Sequence, residues 1–164
     1  LLQQSPFMLY HGQEWGERGM DQEGYSGHDG RTTIFDYWSL QPQKTPLTQT
    51  YARVLAIART EKAVTEGEMY DLMYVNRQYF RQYAFLRKAG KELLLVVANF
   101  DDVPVDMQLV LPAHAFDYLK LREQPRAAAE NLLTGEKAML CMQKDQPLTL
   151  QLAPRGILVY KVRS

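Results

Sequence analysis

Residues Glu92–Asn99 read ELLLVVAN, an unbroken apolar run bounded by Gly90 on one side and by Asp101-Asp102 on the other. A short run of this kind between turn signals predicts a strand buried on both faces of a sheet. Downstream, Val105–Leu111 alternates, with Val105, Met107, Leu109 and Leu111 on one side and Asp106, Gln108 and Val110 on the other. Ala128–Leu133 and Lys137–Gln143 flank Thr134-Gly135-Glu136, a hairpin signal. Pro147–Leu152 alternates through Leu148, Leu150 and Leu152, and Gly156–Val162 does so through Leu158, Tyr160 and Val162. Upstream, Met69–Val75 and Tyr79–Arg87 complete the set, while Ala113–Arg126, bracketed by Pro112 and holding Pro125, is expected to be a connection with a helical turn. About eight short strands with no helical period between them predict a mainly β domain, an antiparallel sandwich over residues 67–164.

Ahead of that domain the period is helical. Thr45 is placed to cap and Pro46 to occupy the first helical position. Leu47, Tyr51, Val54, Leu55 and Ala58 then make one apolar stripe, and Gly67 ends the segment, so one amphipathic helix is expected over residues 45–66. Such a stripe needs an apolar partner; left uncovered, it is expected to drive homodimerisation. Residues 1–45 read differently. Phe7–Tyr10 is a short apolar run, long enough for one buried strand, and it stops at His11 and Gly12. Five glycines follow between Gly16 and Gly30, among acidic and aromatic residues, which is a loop pattern. A buried strand that ends at a glycine and opens into a polar, aromatic loop is how barrel strands deliver residues to an active-site face.

The bulk properties exclude more than they assign. The 164 residues carry 19 basic and 19 acidic side chains, so no net charge favours nucleic acid or an anionic membrane as a partner. No stretch approaches the roughly 20 apolar residues of a membrane helix. The single cysteine, Cys141, lies in the apolar run MLCM; a buried, inert thiol is expected, and the count fits a cytoplasmic and an exported protein equally. His11, His28 and His114 lack metal-ligand spacing, and Asp21, Glu23 and Asp29 lack the order of an EF-hand. Lys120–Arg126 reads as a solvated connection. The chain begins mid-pattern, without a methionine or a helix cap, and is expected to be part of a longer protein.

Two sets of residues carry a family resemblance. The stretch PFMLYHGQEWG, with Pro6, Tyr10, Gly12 and Glu14, resembles the last barrel strand of glycoside hydrolase family 13, the α-amylase family. Gln4 stands where that family has a glycine, and His11 replaces a tyrosine. Asn99-Phe100, Leu132-Leu133-Thr134-Gly135 and Pro154-Arg155-Gly156 resemble the punctuation of the family's C-terminal Greek-key sandwich. The resemblance implies that residues 1–66 are the end of a TIM barrel (last strand, loop and last helix) and that residues 67–164 are the C-terminal sandwich. It implies an enzyme acting on α-1,4-glucans such as starch or maltodextrins, with the catalytic barrel as the sandwich's partner and any Ca²⁺ held in that barrel, none in this chain.

Retaining glycoside hydrolysis needs two carboxyl groups about 5–5.5 Å apart. The family's Gly-x-Arg-x-Asp and Asn-His-Asp motifs are both missing from this sequence; Gly27-His28-Asp29-Gly30 follows the Gly12-x-Glu14 motif rather than preceding it. No catalytic residue is therefore assigned, and the chain by itself is expected to be inactive. What the resemblance leaves is the rim of a sugar site: Glu14, and Asp29 and Arg31, which stand two apart where the family has an Asp-x-x-x-Arg spacing. The alternative for all of them is loop bracing. A second reading takes the sandwich as a non-catalytic carbohydrate-binding or interaction module, on the strength of Tyr70, Tyr74, Tyr79 and Tyr83. A row of exposed, coplanar rings would favour it; burial of the rings would favour a stabilising role.

Overall fold

The computed structural model describes residues 1–9, 12–16 and 45–163. The chain divides into two compact units, one of Leu1 with Ser5–Ala56, the other of Leu2–Gln4 with everything from Ile57 onward.

In the first unit Gly12 and Gly16, both with positive φ, bracket a 3-10 turn over Gln13–Trp15. Helix α1, Pro46–Thr60, begins as its sequence requires. The Thr45 hydroxyl accepts from the Thr48 N–H at 3.3 Å, and Thr48 Oγ1 accepts from the Thr45 N–H at the same distance, a reciprocal cap with threonine in place of the usual glutamate. Phe7, Met8 and Leu9 belong to no strand and are exposed, Met8 86% so. The buried strand expected at Phe7–Tyr10 is thus absent from the described part of that stretch. Among the described residues no neighbour offers it a ladder, and an apolar run alone does not make a strand. Tyr10 and His11 lie outside the described residues.

The second unit holds eight strands: β1 Glu68–Asp71, β2 Gln82–Ala89, β3 Glu92–Asn99, β4 Val105–Val110, β5 Gln124–Asn131, β6 Lys137–Met142, β7 Pro147–Leu152 and β8 Ile157–Val162. A six-stranded sheet runs β1-β2-β3-β8-β5-β6, and a two-stranded sheet pairs β4 with β7. Every pairing is antiparallel. The pairs β3–β8, β4–β7 and β5–β6 are nested one inside the next, which is Greek-key wiring: one long ribbon doubled over on itself.

Alternation sorts the side chains between the layers. Leu93, Leu95 and Val97 of β3 meet Met107 and Leu109 of β4 and Leu148, Leu150 and Leu152 of β7 in one apolar cluster. Helix α3, Ala113–Leu119, closes that cluster with Ala115, Phe116 and Leu119. The other face of the large sheet is buried as well, through Phe85, Leu94, Val96 and Val159. Over it lies helix α2, Lys62–Thr65. Arg87, 2% exposed, donates from Nε to the Ala63 carbonyl at 2.9 Å and from Nη2 to that of Val64. Ala63 N–H donates in turn to Glu92 Oε1 at 2.8 Å. β3 is therefore buried on both faces, as its composition predicts.

The single helix expected over 45–66 is instead broken at Glu61, which is extended (φ −84°, ψ 116°). The break separates α1 from α2, and the Glu61 carboxylate binds Lys161 Nζ at 2.6 Å. Cys141 is half-buried rather than buried. It lies on edge strand β6, on the face opposite Leu140 and Met142, and its thiol donates to Gln143 Oε1 at 3.4 Å.

Candidate functional site

Of the three rim candidates, Glu14 alone is described; Asp29 and Arg31 lie outside the described residues. Glu14 sits half-buried in the 3-10 turn, and its carbonyl accepts from Thr48 Oγ1 at 2.9 Å, so the turn is tied to the first turn of α1. Beside it, Phe7, Met8 and Leu9 with Tyr51 and Val54 of α1 line an apolar groove of about 320 Å³. Among the described residues this unit therefore carries a polar turn next to an apolar groove. Among the described residues there is no group of three or more His, Cys, Asp or Glu placed to hold a metal ion. No described helix is long and apolar enough to cross a membrane.

The tyrosines singled out by sequence gather at the β1 edge, but not as a platform. Tyr70 is buried; its hydroxyl lies 2.6 Å from that of Tyr74 and 3.1 Å from His114 Nδ1. Its ring meets those of Tyr74, His114 and Tyr118 at interplanar angles of 63°, 79° and 47°. Burial, followed by the bond to Tyr74, pushes the Tyr70 hydroxyl far above the usual range, so it remains neutral. Tyr118 donates to Glu68 Oε2 at 3.1 Å. Tyr79 and Tyr83 go elsewhere: Tyr79 Oη accepts from the Gln108 N–H at 2.7 Å, and Tyr83 donates to Asp71 Oδ2 at 3.2 Å. Edge-on rings knit to one another and to neighbouring strands brace the sheet; flat sugar faces need exposed coplanar rings. His114 and Tyr118 are the members that sequence reading missed. Both lie on α3, and only the fold brings them to β1.

The family-like punctuation is where the polar geometry is tightest. Asn99, 2% exposed, donates from Nδ2 to the carbonyls of Val103 at 2.9 Å and Ala153 at 3.0 Å. Its Oδ1 accepts from Gln82 Nε2 at 2.9 Å and from the Asp101 N–H at 3.0 Å. The backbone adds a bond from Asn99 N–H to the Gly156 carbonyl at 2.8 Å. Asn-Phe after β3 and Pro-x-Gly before β8 are therefore two halves of one corner.

No protein-family model matches the chain, and no curated protein matches it in sequence. Solved structures do match in shape. A maltogenic α-amylase from Thermotoga neapolitana superposes with a TM-score of 0.64 at 13% identity, over 95% of this chain and 32% of its own. An α-amylase from Geobacillus thermoleovorans gives 0.60 at 16% identity, over 94% and 29%. An Anoxybacillus α-amylase gives 0.59 at 15% identity, over 94% and 28%. The chain thus spans about three tenths of the length of each enzyme it matches, and its fold is that of their C-terminal part.

Proposed function

We propose that this chain is the C-terminal portion of an α-amylase-like enzyme acting on α-1,4-linked glucans, with residues 1–66 completing the catalytic barrel and residues 67–164 forming a sandwich that stabilises it. The observation that carries this reading is the shape match along 94–95% of the chain to three α-amylases. The open apolar groove beside α1 supports it, as does the half-buried state of Tyr51, Val54, Leu55 and Ala58: in this reading the rest of the barrel covers both. Glu14, Asp29 and Arg31 border the sugar site without doing the chemistry. The carboxylates, and any calcium, belong to the barrel.

The test uses the longer protein and a version ending at Glu66, both assayed on maltoheptaose. Maltoheptaose cleavage by the longer protein is expected, with faster thermal inactivation of the shortened form. An intact substrate would overturn the enzymatic reading; equal inactivation rates would overturn the stabilising role. This chain run through a native gel containing soluble starch is expected to migrate like a control protein. Retardation would move the binding-module reading ahead.

A further inference from the structure

At one end of the six-stranded sheet the inter-sheet core opens into a pocket of about 320 Å³. Its walls are the β2–β3 turn, with Lys88 and Lys91, and the segment after α3, with Lys120 and Arg122; its floor includes Leu93 and Met142. Lys88 continues the core-facing row of Ala84 and Leu86 on β2, so it points to the side of the sheet where the pocket lies. Lys120, with φ of 51°, is the C-cap of α3 and turns the chain sharply there.

Among the described residues lining this pocket, four are cations and none is an acid. Three carboxylates lie nearby, each with a hydrogen-bond donor of its own, and Lys88 Nζ donates to the Gly90 carbonyl at 2.8 Å. Glu68, opposite Lys88 in the β1–β2 ladder, accepts from Tyr118. Glu92 accepts from Ala63 N–H and pairs with Lys161. Glu123 accepts from the Lys144 N–H at 3.2 Å. Neither Lys120 nor Arg122 has an ion-pair partner among the described residues. Like charges gathered around a concavity repel one another and focus a positive potential into it. A dianionic group relieves that repulsion, and a guanidinium beside ammonium groups suits phosphate oxygens. The apolar floor gives the rest of a small ligand a surface, and the volume is that of a small-molecule site.

We propose that this pocket binds a compact phosphomonoester, its phosphate held by Lys88, Lys91, Lys120 and Arg122 and its organic body seated over Leu93 and Met142. The site is independent of the glucan reading, and one of its walls is what the sequence presents as a solvated connection.

These 164 residues, at 19.0 kDa, are well sized for two-dimensional amide NMR. Glucose 6-phosphate, adenosine monophosphate and inorganic phosphate are titrated separately, with glucose as the uncharged control. Saturable shifts at residues 88–93 and 120–124 are expected for at least one phosphomonoester, tighter than for inorganic phosphate and absent for glucose. The stronger of the two organic phosphates identifies the source. The exposed double variant Lys120→Asn, Arg122→Gln is expected to keep its melting temperature and to bind at least fivefold more weakly. Equal binding of inorganic phosphate, unchanged affinity in the variant, or shifts located elsewhere would overturn the proposal. So would a response to hexaglutamate with none to either phosphomonoester, which would point to an acidic segment of a partner.

Discussion

Asn99 makes four side-chain hydrogen bonds from a nearly dry position, and no other side chain of its size both donates twice and accepts twice there. Asn99→Ala strips the Val103 carbonyl and the Asp101 N–H of their partner, while the Ala153 carbonyl keeps the Gly156 N–H, and with about 1–3 kcal/mol for each buried polar group so stranded, a loss of about 2 kcal/mol is expected from urea unfolding. Asn99→Asp should be no rescue, since it removes both donors. Asn76 does the same work at another corner, donating to the carbonyls of Leu72 and Val110 and accepting from the Val110 N–H. Gly67 is constrained by space instead. A Cβ there would lie 2.3 Å from the Ala63 carbonyl oxygen and 2.7 Å from that of Lys88, both main-chain atoms that side-chain rotation does not move. Gly90, with φ of +56°, has nothing within 4 Å of its would-be Cβ. Gly67→Ala is therefore expected to lower the melting temperature far more than Gly90→Ala, whose cost is a backbone strain of about 1 kcal/mol. Equal effects in a thermal melt would refute the packing account.

Among the elements, α2 is only four residues long and is held by what it touches. Lys161 of β8 bridges Glu61 at 2.6 Å and Glu92 at 3.3 Å, and Glu92 also accepts from α2. Burial by itself would raise the Glu92 carboxyl, but the Ala63 N–H and the Lys161 ammonium outweigh it and hold it below its ordinary value. A lowered carboxylate stabilises the fold above its unfolded pKa, about 4.3, and that contribution disappears as pH falls through the folded value. Lys161 is raised, chiefly by its bond to Glu61, so its contribution is full below about 10.4 and fades as pH rises through the folded value. Glu92→Gln keeps an acceptor for Ala63 and removes the charge. Its deficit relative to the parent is expected at pH 6–8 and should shrink towards pH 3; a pH-independent deficit would show that charge is not the cause. The break before α2 was not legible, because the helical period runs unbroken through Glu61 and tertiary partners decide it. β3 and β7 were legible to the residue, since an apolar run and a clean alternation leave no choice of face. β5 starts at Gln124, earlier than its pattern suggests, because Pro125 and Arg126 look like a connection and the pairing with β6 shifts register between Gln124 and Ala127.

For the molecule as a whole, the candidate sites were less legible than the fold. Rim residues and tyrosines are found by type, but whether rings stack flat or brace one another is set by α3 meeting β1, with His114 standing 44 residues beyond Tyr70 and folding back in a way no local pattern records. The basic pocket draws its cations from two turns that are separate in sequence and adjoin only in the sheet. The strand order also ranks local stability. Amides of β3, flanked by β2 and β8, are expected to exchange slowest in deuterium, and those of the edge strands β1 and β6 fastest; similar rates throughout would mean that the sheet opens as one body. That same order has a consequence for biogenesis. Of the eight strands β8 is made last, yet it lies in the middle of the sheet, and until it arrives β1-β2-β3 and β5-β6 are two unjoined pieces with raw edges. Synthesis must run almost to Val162 before the domain can close, so the nascent domain spends nearly all of its making as a client for chaperones, and a stop codon a few codons before Ile157 would be as damaging as a hole in the core.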